Sequence, residues 1–210
     1  MIERLLAALV RGLTLLVAGG SVESMVGEID GKQRVYIANH SSHLDFVLVW
    51  SSLPVEVRLL TRPVAARDYW GRGVPRYIAE RVFKAVLIDR LPHEDAKDGA
   101  LLGREAVTKM QEGMGERFSL ILFPEGTRSL DGRVNPFRSG LYHLCRARPQ
   151  LEVMPVCLTN LNRILPKGEV LPVPMLSRVT FGEPITLGAG EDKTEFLERA
   201  RLALERLQTR

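Results

Sequence analysis

Two short apolar runs, each followed at once by a polar loop, constrain this chain more than any other feature. The first run covers residues 34–38 and leads into loop 39–45, with the sequence NHSSHLD. The second covers residues 118–122 and leads into loop 123–129, with the sequence FPEGTRS. Both runs have the length and composition of buried β-strands. Open α/β sheets build their active sites at the carboxyl ends of such strands, so we predict a functional site formed by these two loops.

The first loop contains His40 and Asp45, five positions apart. On an uninterrupted helix their side chains would diverge by about 140° and would not meet. They meet if His40 lies on the turn after the strand and Asp45 lies in the first turn of the next helix, where the helix dipole favours a carboxylate. Asp45 would then hold one imidazole nitrogen and leave the other free to accept a proton from an alcohol. One alternative stays open, because Ser42-x-x-Asp45 is also the spacing of a helix capping box.

A metal site is a weaker interpretation of the same loop. His40, His43 and Asp45 lie close together in the sequence, but a metallohydrolase of the His-x-His-x-Asp-His type needs further ligands. The whole chain has four histidines, and the other two stand in ordinary contexts. We therefore expect no bound metal and assign His43 to the surface or to the surroundings of the site.

The second loop carries groups that suit a phosphate. Gly126 permits close approach of the backbone, Thr127 offers a hydroxyl, and Arg128 offers a planar fork for phosphate oxygens. Glu125, placed between a proline and a glycine, is predicted to orient the loop rather than to act as a second base. Arg90 ends another apolar run and is a candidate for a second phosphate ligand, unless it forms an ion pair with its acidic neighbour.

The periodicity of the chain predicts alternating strands and helices. Strands are expected near 34–38, 57–61, 84–88, 118–122, 153–158 and 178–181. Helices are expected near 3–17, 43–52, 75–82, 95–113, 138–147 and 192–208, the last opened by a capping box between Asp192 and Glu195. Such alternation favours an α/β fold with a mainly parallel sheet covered by helices on both faces. Residues 160–177, rich in proline, read as a long irregular loop.

Taken together, the His-x4-Asp of loop 39–45 and the FPEGTR of loop 123–128 resemble the glycerolipid acyltransferases, the family that includes the 1-acylglycerol-3-phosphate acyltransferases. Three further segments fit the same order: 86–90 (VLIDR), 153–158 (VMPVCL) and 181–185 (FGEPI). Members often begin with a longer hydrophobic anchor, whereas only about 30 residues precede the first apolar run here. The resemblance implies a glycerol-3-phosphate acyltransferase-like α/β fold.

The resemblance also implies an activity, namely transfer of a fatty acyl group from a thioester to the free hydroxyl of a lysophospholipid. The expected acceptor is 1-acylglycerol 3-phosphate, which would give phosphatidic acid, and the expected donor is acyl-CoA or an acyl carrier protein. In this interpretation His40 is the general base and Asp45 orients it. The block 125–128 binds the acceptor, with Arg128 and Arg90 on its phosphate.

The chemistry expected from this resemblance needs no metal or organic cofactor. No serine or cysteine stands in a nucleophile motif, so attack on the thioester would be direct, with backbone N–H groups near Gly126 as candidates for stabilising the oxyanion. Two alternatives stay open. The acceptor would be another lysolipid, such as lyso-ornithine lipid, or glycerol 3-phosphate; or the chain would be a non-catalytic lipid-binding protein on the same fold.

The N-terminal segment 1–30 raises the question of a membrane anchor before the acyltransferase domain predicted at 31–210. Residues 5–18 are almost all apolar, but as a helix they would rise only about 21 Å, short of a ~30 Å hydrocarbon core. Arg11 interrupts the run on the same helical face as Arg4. We expect either an interfacial helix, with arginines at the headgroups and leucines inward, or a helix packed on the protein's own sheet.

Charge and cysteine content suggest the setting. Eight basic residues against three acidic ones, with Tyr69 and Trp70 among them, lie between positions 58 and 90 of a chain whose net charge is +4. Such a surface suits anionic lipid headgroups or an acidic carrier, whereas no nucleic-acid-binding module is visible. Cys145 and Cys157 have no metal-like spacing and fall in predicted core elements. We therefore expect a peripheral or monotopic protein on the cytoplasmic face of a membrane.

Overall fold

A mainly parallel sheet forms the centre of the molecule. The computed structural model describes residues 2–18, 21–24, 29–42, 45–70, 72–89, 99–129, 132–159 and 177–209. Within these ranges the strands are β1 (Ser21–Ser24), β2 (Arg34–Ala38), β3 (Thr61–Ala66), β4 (Val86–Ile88), β5 (Ser119–Leu122), β6 (Glu152–Thr159) and β7 (Arg178–Phe181). Their order is β1-β7-β6-β2-β5-β3-β4. Only the ladder between β6 and β7 is antiparallel among these named strands, which confirms the predicted sheet type.

The helices lie between and after these strands. They are α1 (Ile2–Ala18), α2 (Asp45–Ser52), α3 (Val55–Leu59), α4 (Arg67–Trp70), α5 (Gly73–Tyr77), α6 (Gly99–Met114), α7 (Gly140–Ala147) and α8 (Lys193–Gln208). A π-helical segment, Ile78–Val82, continues α5. The capping box predicted at the start of α8 is confirmed, because Asp192 accepts the N–H of Glu195 and the side chain of Glu195 accepts the N–H of Asp192.

Helices cover both faces of the sheet, as predicted. On β2, Tyr36 and Ala38 face a core built with α2 and the π-helical segment. Val35 and Ile37 face the opposite core, which α6, α7 and α8 supply. Because side chains alternate along a strand, a strand buried on both faces must be apolar throughout. This explains why residues 34–38 read as a continuous buried run.

The strand predicted at 57–61 is wrong. Residues 55–59 form α3, and the strand begins only at Thr61. The alternating Val-Glu-Val-Arg-Leu looks like a half-buried strand, in which Val55, Val57 and Leu59 would share one face. In the structure only Val57 is buried, while Val55 and Leu59 are exposed, as expected for positions two apart on a helix.

The first helix packs on the protein itself and also exposes an apolar side, so the interfacial alternative stays a prediction. One side of α1 packs on α2 and the π-helical segment, with Ala7 and Val10 against the core and Thr14 buried. The opposite side presents Leu5, Leu9 and Leu13, which are exposed. Arg11, predicted to lie at headgroup level, donates from Nε to the carbonyl of Ser51 at 3.3 Å.

No helix within the described ranges is both long enough and apolar enough to cross a bilayer. Strand β1, which lies inside segment 1–30, pairs in parallel with β7 at one edge of the sheet. The irregular loop predicted at 160–177 falls almost wholly outside the described residues, apart from Ser177, whose carbonyl accepts the N–H of Ser21.

Candidate active site

The two polar loops meet at the carboxyl edge of the sheet because β2 and β5 are parallel neighbours. Their register pairs Ile37 with Leu122, so the residues three positions further on, His40 and Glu125, emerge side by side. The backbone carbonyl of His40 also accepts the N–H of Ser129 at 2.8 Å. The site predicted from the two strand ends is therefore assembled by sheet register.

His40 and Asp45 are in direct contact. Asp45 is the first residue of α2, and its Oδ2 lies 2.8 Å from Nδ1 of His40. The same oxygen accepts the backbone N–H groups of Ser41 at 2.6 Å and Ser42 at 2.8 Å. An ionised carboxylate only accepts hydrogen bonds, so this contact assigns the proton to Nδ1 and leaves Nε2 as the basic nitrogen. Asp45 thus serves the turn before the helix and the imidazole at once, and the two interpretations of Ser42-x-x-Asp45 are compatible.

The imidazole is held by packing as well as by hydrogen bonding. The ring of His40 stacks on Phe123, with centroids 4.4 Å apart and an interplanar angle of 27°. The preceding residue, Asn39, is buried and exchanges two hydrogen bonds with the backbone of Leu158 on β6. The side chain of His40 keeps 24% of its surface exposed, whereas Asp45 has none. A fixed, partly accessible imidazole backed by a buried carboxylate is the arrangement of a general base.

Glu125 ties the two loops together. Its Oε1 accepts the backbone N–H of His40 at 2.8 Å, and its Oε2 accepts the backbone N–H of Asn135 at 2.9 Å. The side chain is buried, and burial raises the pKa of Glu125, although the two N–H donors oppose this shift. Since both oxygens are used internally, Glu125 has the orienting position expected from the sequence rather than that of a second base.

The other three residues of the block lie toward solvent. Gly126 has φ +70°, a left-handed conformation that favours glycine. Thr127 is exposed and Arg128 is partly buried. Arg128 forms no hydrogen bond or ion pair with any of the described residues, so its guanidinium is available to a ligand.

Two candidates from the sequence lie outside the described residues, namely Arg90 and His43. Asp89, next to Arg90, lies 3.1 Å from Nε of Arg67 and 2.8 Å from Nζ of Lys109. These cations, Lys109 first, lower the pKa of Asp89. In the part of the chain that the structure describes, no group of three His, Cys, Asp or Glu side chains is arranged to hold a metal ion.

A cavity of about 700 Å³ opens beside His40. Its inner wall is apolar and comes from β3, β5, α6 and α7, with Val64, Leu122, Met110 and Leu141 among its residues. Its polar members are His40, Asp89, Arg104, Thr108, Arg138, Ser139 and His143. The shape and lining suit an apolar chain with its reactive end at His40.

Asn39 and Phe123 lie in the two predicted loops but had no predicted role, and Arg138 was not predicted as part of the site. Asn39 and Phe123 immediately follow β2 and β5. That position at a strand end could have marked them as parts of the site. Arg138 lies thirteen residues beyond Glu125 and returns to the site because its backbone N–H donates to the carbonyl of Pro124 at 2.8 Å. No local pattern marks that return.

Comparison with known proteins shows similarity to acyltransferases. A family model described as Acyltransferase matches residues 21–159. The 1-acyl-sn-glycerol-3-phosphate acyltransferase of Limnanthes alba is 31% identical over 170 residues, which are 80% of this chain and 56% of that protein. The enzyme of that name from Escherichia coli (strain K12) is 31% identical over 142 residues, 62% of this chain and 51% of that protein. The chain thus spans about half the length of these curated relatives.

A solved structure shares the fold. The crystal structure of the 1-acyl-sn-glycerophosphate (LPA) acyltransferase PlsC from Thermotoga maritima superposes with a TM-score of 0.69 at 19% sequence identity. The match covers 99% of this chain and 82% of that chain.

Proposed function

This chain belongs to the acyltransferase family, and from that premise we propose that it transfers a fatty acyl group from a thioester to the free hydroxyl of 1-acylglycerol 3-phosphate, giving phosphatidic acid. The observation that carries the proposal is the hydrogen bond between His40 and the buried Asp45, at the mouth of a largely apolar cavity. The relatives' names support the choice of reaction and of acceptor.

In the proposed mechanism, Nε2 of His40 takes the proton of the acceptor hydroxyl as its oxygen attacks the thioester carbonyl. Asp45 holds Nδ1–H and stabilises the imidazolium that forms. The tetrahedral intermediate collapses with cleavage of the C–S bond, and the departing thiolate takes the proton back from His40. A thioester is already an activated acyl group, so the reaction needs no metal or organic cofactor. Backbone N–H groups near Gly126 are the proposed donors to the oxyanion.

The cavity beside His40 is the proposed site of an acyl chain. Its lining includes buried aliphatic side chains together with the partly exposed His40. The donor is proposed to be acyl-CoA or an acyl carrier protein. The block 125–128 is proposed to serve the acceptor, Arg128 by contacting its phosphate and Glu125 by holding the loop in place. Arg90 is proposed as a second phosphate ligand.

The proposed location is the cytoplasmic face of a membrane, where the protein is peripheral or monotopic. The lysolipid and its product both reside in a bilayer, and the exposed leucines of α1 offer an apolar surface for contact with its lipid acyl chains. In this proposal segment 1–30 supplies attachment and residues 31–210 supply the chemistry. Nucleic acid is not a proposed partner.

The test is turnover of 1-acylglycerol 3-phosphate by the purified protein with acyl-CoA and, separately, with acyl carrier protein, followed by mass spectrometry of the lipid product. Phosphatidic acid is expected, and His40→Ala is expected to lower its rate of formation by about 10²- to 10⁴-fold with unchanged folding. Acylation of a different lysolipid, or of glycerol 3-phosphate, in place of 1-acylglycerol 3-phosphate would refute the proposed acceptor. Near-normal turnover by folded His40→Ala would refute the proposed base.

A further inference from the structure

Arg138 is a cation that lines the same cavity as the proposed base. Its Nε lies 3.4 Å from the backbone carbonyl of Glu125. Its terminal guanidinium nitrogens have no partner among the described residues, and no acid in those ranges neutralises it. Arg138 is exposed, but an arginine that lines a cavity, contacts a backbone carbonyl through Nε and keeps its terminal donors unused is suited to an anion.

Gly126 is required for this placement. A Cβ built on Gly126 would lie 2.4 Å from Nε and 2.7 Å from Cδ of Arg138. Any side chain at position 126 would therefore displace the guanidinium, in addition to the strain of φ +70°. The glycine of the block 125–128 makes room for the arginine that crosses it.

Glu125 contacts both the proposed base, His40, and the guanidinium of Arg138. Glu125 accepts the backbone N–H of His40 through its side chain and contacts Arg138 through its carbonyl. In the proposed acceptor the reacting hydroxyl and the phosphate stand on adjacent carbons. A cation that recognises this phosphate must therefore lie close to the base. Arg128 is not among the residues that line this cavity, so its proposed contact with the same phosphate would come from outside the cavity.

We propose that Arg138 is a specificity-determining residue that binds the phosphate of the acyl acceptor next to His40. This inference rests on the proposed acyl transfer and refines it. The planar fork of arginine matches two phosphate oxygens at once, whereas lysine offers a single point charge. Arg138 therefore distinguishes phosphorylated acceptors from neutral ones that carry the same acyl chain.

The experiment compares two acceptors, 1-acylglycerol 3-phosphate and the neutral 1-monoacylglycerol, in detergent micelles. Direct binding is measured by calorimetry without any donor, and turnover is measured with acyl-CoA. The variants are Arg138→Gln, Arg138→Lys and the control Arg146→Gln, which removes an exposed arginine from the last turn of α7, outside the cavity. Arg138→Gln should raise both Kd and KM for the phosphorylated acceptor about 10- to 100-fold, with less than about twofold change in Kd for the neutral one. Arg138→Lys should fall between Arg138→Gln and wild type.

Other binding results would contradict the proposed role of Arg138. Equal weakening of both acceptors would mean that Arg138 only supports the Glu125 loop, and unchanged binding would mean that it has no role; either result overturns the inference. If the wild-type protein transfers no acyl group to any acceptor, the proposed function fails. The donor-free binding measurement still decides whether Arg138 recognises the phosphate.

A double-mutant cycle with Gly126→Ala provides a second test. If Gly126 acts by giving room to Arg138, Gly126→Ala should raise Kd for the phosphorylated acceptor in the wild-type background and change it little in Arg138→Gln. Backbone strain alone would lower Tm by the same amount in both backgrounds. Equal effects of Gly126→Ala on Kd in the two backgrounds would overturn the link between these residues.

Discussion

Oε1 of Glu125 accepts the backbone N–H of His40 at 2.8 Å, so the position of the proposed base depends on a buried carboxylate from the neighbouring strand end. The second oxygen of Glu125 accepts the N–H of Asn135. Both carboxylate oxygens of Glu125 are needed as acceptors at the same time. A glutamine at this position would offer one accepting oxygen, and its NH₂ group can only donate. The Glu125 side chain therefore holds His40 and Asn135 in place because it has two equivalent accepting oxygens.

We predict that Glu125→Gln lowers kcat about 10- to 100-fold and destabilises the fold by about 1–3 kcal/mol, because one buried N–H donor then faces an NH₂ group. Steady-state kinetics and urea unfolding measure the two effects. Glu116→Gln is the control, since the side chain of Glu116 is 98% exposed. Full kcat in a destabilised Glu125→Gln protein would show that the anchor serves the fold alone.

Asp45→Asn should reduce both turnover and stability. Oδ2 of Asp45 accepts from the imidazole and from two backbone N–H groups, and an amide in its place weakens all three and favours the wrong imidazole tautomer. We expect kcat to fall at least tenfold, as measured by turnover assays. We also expect Tm to fall, as measured by thermal unfolding. A lower Tm with preserved kcat would mean that Asp45 serves only the start of α2.

Arg128→Lys separates the proposed phosphate contact from a structural role. The variant keeps the positive charge and loses the bidentate fork. We predict that KM for 1-acylglycerol 3-phosphate rises several-fold while KM for the donor stays constant. Parallel increases in both KM values would indicate that Arg128 stabilises its loop instead of binding the acceptor.

The two thiols should be inert in the native protein. Cys145 and Cys157 are fully buried, and burial raises the pKa of each from 9.0 to about 12. Iodoacetamide at pH 8 should leave turnover unchanged and should alkylate both thiols only after unfolding. Rapid loss of activity on alkylation of the native protein would contradict the proposed direct attack without a cysteine intermediate.

The same shifts give a pH dependence of stability. The unfolded thiols release their protons near pH 9, whereas the folded thiols keep them to about pH 12. Their contribution to the free energy of unfolding is therefore present below pH 9 and is lost as the pH rises toward 12. The slope is up to ~1.4 kcal/mol per pH unit for each thiol. Urea unfolding from pH 8 to 11 should show a shallower decline in the Cys145→Ala/Cys157→Ala variant.

The sequence predicted the features that depend on local pattern. Strand β2, the capping box of α8 and the turn that joins His40 to Asp45 follow from periodicity and from spacing. The strand at 57–61 was predicted wrongly because α3 has only five residues. So short a helix does not display a 3.6-residue hydrophobic period in the sequence. Arg138 was missed for a different reason. The segment before α7 is irregular, and it returns to the site through hydrogen bonds to Glu125 and Pro124 that only the tertiary structure brings within reach.

Three exposed leucines lie on one side of α1. Leu5, Leu9 and Leu13 are 65%, 66% and 59% exposed and follow one another at one-turn intervals, so they form a single apolar stripe. Deleting the helix would uncover the core residues that pack against Ala7 and Val10, which makes substitution of the stripe the sharper test. Burying each leucine in a bilayer is worth on the order of 1–2 kcal/mol.

We therefore predict that Leu5→Gln/Leu9→Gln/Leu13→Gln lowers binding to vesicles containing an anionic phospholipid by about 10²-fold or more, since the three losses add. Vesicle co-sedimentation measures this. Leu9→Gln alone, compared with Leu202→Gln on α8, controls for the loss of one exposed leucine from another surface. Turnover of micellar 1-acylglycerol 3-phosphate and the Tm should be preserved, because the opposite side of α1 still packs on α2. Undiminished sedimentation of the triple variant would refute α1 as the attachment surface, and a fall in Tm would show that the stripe is covered within the protein.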